Sequence, residues 1–265
     1  MIWRERATIP QQPSIRSHET EQGAHFTKTL FTGSILILVL SSGGAIWAEA
    51  PVGALAGRIT FTGASTPDQV LEVTRDAPFC GKTATIRTLA VNRETGGLEG
   101  AVVSLDAIPI PPNESPLPPV GLVNSHCALS PQIMAGQVGQ QLEIRNDDPI
   151  MHNTHLTLET STFLNVALVP AGRPVVKQFK KPGIYHVKCD AHKFMKAAVI
   201  VLSHPFFSVT DRTGAFRISH LPPGDHVVTI WHEVLGTYRQ RITIPLHGDA
   251  NVTIEYPANT GSHDK

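Results

Sequence analysis

From Gly53 onward, no segment carries an apolar stripe of 3.6-residue period over three turns, and short runs of period 2 recur instead. A chain patterned this way has no broad helix face to bury and sorts its apolar residues onto alternate sides of strands. The runs Ala56–Gly63 and Gly100–Leu105 alternate in this manner, with Arg93–Gly97 reading as a turn between them. Further strands are expected at 141–145, 175–179, 183–188 and 197–202, then at 215–218, 226–231, 238–244 and 251–256. The punctuation agrees, because 21 Gly and 21 Pro in 265 residues exceed the roughly 12% of an average chain. Six of the Pro fall within Ile108–Pro119, a stiff connection and not a strand. The expected fold class is all-β, built as sandwiches.

Lys and Arg total 22, as do Asp and Glu, so no net positive field exists to hold nucleic acid. The first 48 residues stand apart. After Lys28, Thr29–Ala48 runs without a charge, with its densest apolar part at Ser34–Leu40 and small residues after it. A basic residue, a short apolar core and a small-residue end make a secretory signal, with cleavage expected after Ala48. An uncleaved single-span anchor is the alternative, since about twenty uncharged residues just reach across a bilayer. Either way the remainder is expected outside the cytoplasm, in the periplasm, with membrane contact only if the segment stays uncleaved.

Two histidine-bearing segments carry the chemistry. One is Asn146–His155, with Met151, His152, Asn153 and His155. The other, Tyr185–Met195, sets Cys189, His192 and Met195 at Cys-x2-His-x2-Met spacing, directly before the apolar run 197–202. One thiolate, two imidazoles and a weak thioether are the donors of a trigonal blue-copper site. A tight loop between strands can point Cys189, His192 and Met195 at one spot, with His152 closing the set from a neighbouring strand. Zinc prefers four strong ligands, and a thioether is a poor one. The bland alternative makes Cys189 a disulfide partner, His192 a surface residue and Met195 plain core.

The Cys-x2-His-x2-Met loop, preceded by Tyr185 and followed by an apolar strand, resembles the cupredoxin family, with amicyanin-like loop lengths. The stretch through Gly139, Leu142, Asn146, His152 and Asn153 is similar to that family's first-histidine segment. The resemblance covers roughly residues 120–203. It implies a Greek-key sandwich holding one mononuclear copper ion through His152, Cys189, His192 and Met195, with Asn153 bracing the copper loop by hydrogen bonding. Assigning Cys189 to copper on this basis leaves Cys80 and Cys127, which an exported chain permits to join as a disulfide. Two reduced thiols are the alternative.

Near the carboxyl end, Asp211, Gly214, Phe216, Ile218, Leu221, Pro222, Pro223 and Gly224 stand at offsets that resemble the carboxypeptidase-regulatory or transthyretin-like β module. Asp211 and Gly214 make one turn, Pro222–Gly224 make the next, and Phe216 and Ile218 alternate inward. The expected domains are a signal or anchor at 1–48, a cupredoxin-like domain at 52–203, the second module at 204–258 and a tail at 259–265. The strands near Gly57–Gly63 and Gly100–Leu105 are open to completing either part. Exported proteins that join two such parts, some labelled methylamine-utilisation or plastocyanin-like, are similar as a group.

These resemblances imply a periplasmic one-electron carrier and no enzyme. His192 would pass the electron through its ring edge, and Lys193, Phe194 and Lys196 around it suit an acidic redox partner. A copper-handling protein without redox traffic is a second reading, for which Met151 and His155 serve as extra donors. A structural or carbohydrate-binding β protein is a third. His155 is expected to be hydrogen-bonded or solvated, with an alternate-ligand role open, and His186 to face away from the metal. His204 and His232 are expected to pack between modules, with a second site as the alternative.

Overall fold

A computed structural model describes residues 52–64, 66–106 and 117–258. The expected signal or anchor, most of the Pro-rich connection and the tail at 259–265 lie outside the described residues. Among the described residues the fold is all-β apart from one helical turn, and no helix is long and apolar enough to cross a membrane.

The first part of the chain supplies β1 (Gly53–Phe61), the hairpin of β2 (Gln69–Glu72) and β3 (Thr83–Ile86), and β4 (Val102–Leu105). Between β2 and β3 lies the single turn α1 (Ala77–Cys80). The middle part supplies β5 (Val120–Ser125), β6 (Ala128–Ser130), β7 (Ile133–Gln137), β8 (Gln141–Asn146) and β9 (His152–Leu158). It continues through β10 (Ser161–Leu168), β11 (Val175–Gln178), β12 (Gly183–Lys188) and β13 (Lys196–Leu202). The last part holds β14 (Phe207–Val209), β15 (Ala215–Leu221), β16 (Gly224–His232), β17 (Gly236–Ile244) and β18 (Asp249–Tyr256).

The middle strands form one sandwich, with the sheet β10-β9-β12-β13-β7 facing the sheet β11-β8-β5-β6. The chain changes sheet repeatedly between β6 and β12, in Greek-key fashion. Alternation along β8 turns Leu142 and Ile144 inward, where they meet Leu122, Leu156, Phe179, Tyr185 and Val199. Each fully buried side chain of this kind contributes about 1.5–3 kcal/mol.

The remaining strands form a second sandwich, and here the expected domain boundary is corrected. The expected domain of 52–203 sets residues 52–105 with the metal-bearing sandwich, while the strands near Gly57–Gly63 and Gly100–Leu105 are open to either part. Instead, β1 pairs antiparallel with β15 and parallel with β18, and β4 pairs with β14 and β16. The physical reason is core membership. Leu55, Ile59 and Phe61 of β1, with Val103 and Leu105 of β4, pack against Phe216, Ile218, Ile230 and Ile254. The second sandwich is therefore discontinuous in sequence, and the first is inserted between β4 and β14. The Asp211–Gly214 turn shows the fit. Gly214 has φ +80°, and its N–H bonds to the Asp211 carbonyl while its own carbonyl accepts from Ile59 of β1. A Cβ there would lie 2.3 Å from the Ile59 carbonyl oxygen, so glycine is required.

The two sandwiches share an apolar seam made by Val102, Ala135, Ala198 and Ile200, flanked by Phe207, Val209 and Trp231. It explains why residues 197–202 are apolar without interruption. Ala197, Val199 and Val201 face the first core, while Ala198 and Ile200 face the seam, as in a strand covered on both sides.

Candidate metal centre

Two loops at one end of the first sandwich build the centre. The β8–β9 loop is closed by Asn146, whose Nδ2 donates to the carbonyls of Ile150 (2.8 Å) and Leu168 (2.9 Å). Its Oδ1 accepts from the Asp148 N–H at 3.1 Å. That turn aims the Asp148 carboxylate inward and starts β9 at His152. The β12–β13 loop is equally tight, with Cys189 N–H donating to the Met195 carbonyl (3.1 Å) and Met195 N–H to the His192 carbonyl (2.9 Å). It turns Cys189, His192 and Met195 inward, each 1% exposed.

One ligand atom each from His152, Cys189 and His192 falls within a mutual 4.8 Å. Donors this close can share a single ion with bonds of about 2.0–2.3 Å. The imidazoles are oriented alike. His152 Nε2 lies 2.8 Å from Asp148 Oδ2, and His192 Nε2 lies 3.0 Å from Asp76 Oδ2. With each Nε2–H donated to a carboxylate, the Nδ1 lone pair of each ring is left for the interior. His192 Nδ1 is 3.6 Å from Cys189 Sγ, whereas His152 Nδ1 is buried with no hydrogen-bond partner. An orphaned buried nitrogen beside a thiol is an arrangement that suits a soft-metal donor set. Met195 belongs to the core cluster that contains Cys189, and the donor set of one sulfur and two nitrogens with a nearby thioether fits copper.

Electrostatics favour the thiolate form of Cys189 and the protonated form of His152, so a metal ion binding there would displace a proton from that ring. Burial opposes ionisation of Cys189, but the adjoining His152 and His192 rings and the Asn153 N–H outweigh it and bring the thiol down to about 6. Burial likewise opposes a charged His152, yet Cys189 and Asp148 together raise it above its ordinary value. Asp148 is held below the usual carboxylate value, against its burial, by donors from Cys127, His152 and His126. Asn153 spans the site: its N–H donates to Cys189 Sγ at 3.4 Å and its Oδ1 accepts from the Asp190 N–H at 3.2 Å. Its Nδ2 donates to Asn165 Oδ1 on β10.

The other expected residues sort as follows. Cys80 and Cys127 form a disulfide, and Cys189 is a free thiol. His155 has both ring nitrogens engaged, with Asp190 (3.1 Å) and Thr162 (3.2 Å), which removes it from the donor set. His186 is exposed on β12. His204 and His232 each accept a local backbone N–H through Nδ1, and neither joins a metal-capable group among the described residues. A second such group, Cys127, Asp148 and His152, shares His152 and has its sulfur in the disulfide. The His192 ring is buried, and Asp76 closes its Nε2 side.

Sequence reasoning missed two residues, Asp148 and Asp76. Asp148 stands four residues before His152, within the segment already singled out. Asp76 lies 116 residues from His192 and carried no local signal.

Fold and site together define an all-β protein of two packed sandwiches with a buried Cys/His/His cluster at one end. No known family model and no characterised protein sequence matches the chain. Among solved structures it is similar to the copper-containing nitrite reductase of Thermus scotoductus SA-01, at 24% identity and a TM-score of 0.30, over 34% of this chain and 23% of that one. It is similar to a novel purple cupredoxin from Nitrosopumilus maritimus at 21% identity and a TM-score of 0.28, over 31% of this chain and 99% of that one. A reduced amicyanin variant aligns at 16% identity and a TM-score of 0.30, over 38% of this chain and 98% of that one. The chain thus spans under a quarter of the nitrite reductase's length.

Proposed function

We propose that the protein is an exported copper protein that binds one ion through His152, Cys189, His192 and Met195 and acts as a one-electron carrier in the periplasm. The observation that carries this reading is the buried Cys189 thiol facing two Nδ1 atoms, one of them without a partner. Copper bound there would supply a Cu(I)/Cu(II) couple in a site with no open position for substrate. The chain's own part is to hold the donors still. Asp148 and Asp76 fix the rings, Asn153 ties β9 to the Cys189 loop, and the sandwich excludes water. The Cys80–Cys127 disulfide and the Thr29–Ala48 segment support an oxidising, extracytoplasmic location. Exposed Lys193 and Lys196 beside Phe194 support an acidic redox partner.

The burial of His192 favours one competing reading, a copper-handling protein without redox traffic. Copper titration followed by voltammetry separates the two. One equivalent bound with a reversible one-electron wave supports the carrier; tight binding of Cu(I) with no reversible wave supports handling; no binding overturns both.

A further inference from the structure

The β2–β3 hairpin has few apolar anchors, with Val73 buried and Cys80 packed on the first core. Every residue of β2 is exposed, α1 has no buried residue, and among the described residues the two strands pair with each other and with no other strand. Two links hold its tip against the first sandwich. Asp76 accepts the His192 Nε2–H, and Cys80 is bonded to Cys127. The tip is shaped for this. Asp76 adopts φ +54° at the start of α1 yet makes no side-chain capping bond, and its carboxylate turns to His192 instead. Asp is one of the few residues that accept this backbone region. The Asp76 carbonyl takes the N–H groups of Phe79 and Cys80, so carboxylate and disulfide sit on one small rigid unit.

The far end of the disulfide closes a ring. Cys127 N–H and His126 N–H donate to Asp148, and Asp148 holds His152. The path from His192 therefore runs through Asp76, Cys80, Cys127 and Asp148 to His152, so one covalent bond joins the carriers of both ring-orienting carboxylates.

We propose that residues 73–82 are a disulfide-fastened cover over the metal centre. Asp76 is a positioning residue for His192, and the cover controls access of ions and small reagents to Cys189. The proposal rests on the copper reading only for the identity of the ion, and its test needs no metal. The probe is iodoacetamide, applied to the folded, metal-free full chain without reductant, with alkylation of Cys189 followed by mass spectrometry. Asp76→Gly removes the carboxylate and tolerates the positive φ. Cys80→Ser/Cys127→Ser removes the fastening and leaves Cys189 as the sole thiol. Each should speed alkylation at least about tenfold, the factor that one hydrogen bond of about 1.4 kcal/mol represents. Ile254→Val, in the core of the second sandwich, is the control for general loosening and should leave the rate unchanged. Ring nitrogen NMR adds the positioning readout: Asp76→Gly should lower the excess of the Nε2–H tautomer at His192 and leave His152 unchanged. Wild-type rates in both cover variants, an equal acceleration in Ile254→Val, or an unchanged His192 tautomer would overturn the proposal. Failure of copper to bind would sink the reading above and leave these rates standing.

Discussion

Truncating Asp148 to alanine removes the acceptor on which the His152 side of the centre depends. The carboxylate is 4% exposed and collects three donors: His126 N–H at 2.6 Å, Cys127 N–H at 2.9 Å and His152 Nε2 at 2.8 Å. Each buried donor left without a partner costs about 1–3 kcal/mol, or about 2–6 kcal/mol for Cys127 N–H and His152, with the part-buried His126 N–H adding less. The metal-free protein should therefore lose about 4 kcal/mol. Asp148→Asn, which keeps the shape and one acceptor oxygen, should lose about half as much. Urea unfolding followed by circular dichroism reads both, provided the slope stays constant. Copper affinity should fall roughly 10–100-fold, because the His152 ring is no longer held with Nδ1 inward. A stability loss below about 1 kcal/mol in Asp148→Ala, with unchanged affinity, would refute this account of the ring's orientation.

Removing the disulfide as Cys80→Ser/Cys127→Ser opens a link across a sequence separation of 47. Chain-entropy reasoning gives a loss of about 4 kcal/mol, and calorimetry showing no drop in the unfolding midpoint would contradict it. His232 is pushed down to about 4 from its ordinary 6.5 by burial, partly offset by a bond to the Glu99 backbone. Because the folded value is the lower one, its stabilisation is complete above pH 6.5 and is lost as pH falls toward 4. The loss amounts to about 3 kcal/mol, and His232→Gln should flatten this limb of the stability profile; an equally steep limb in the variant counts against it. Met195→Leu should retain copper and raise the reduction potential, since a weak donor favouring Cu(II) is gone; an unchanged potential in voltammetry would leave Met195 as core only.

Local signals in the sequence reach as far as local physics does. The strands β8, β12, β13 and β15–β18 follow from alternation or continuous apolarity, and their ends differ from expectation by a few residues. β9 escaped because His152 and Thr154 occupy inward positions that apolar residues normally fill. β10 and β2 escaped because half of the β10 side chains and all of those of β2 face solvent, which leaves no clean apolar alternation. The Cys189–Met195 loop is legible since three donors lie within one turn of chain. Asp148 needed the Asn146-closed loop to aim it, and Asp76 needed a disulfide to a strand turn nearly fifty residues away. The pairing of β1 with β18 joins opposite ends of the described chain, which no local pattern encodes.

Copper binding and electron transfer at this centre both depend on Cys189 as a copper-bound thiolate. Absorption and electron paramagnetic resonance spectra of the Cu(II)-loaded wild type and of Cys189→Ala, recorded side by side, test it. The wild type should show an intense visible charge-transfer band that reductant bleaches and oxidant restores. The variant should lack the band while keeping its β-sheet circular dichroism. An intense band in Cys189→Ala, or copper bound to the wild type without one, would contradict the assignment.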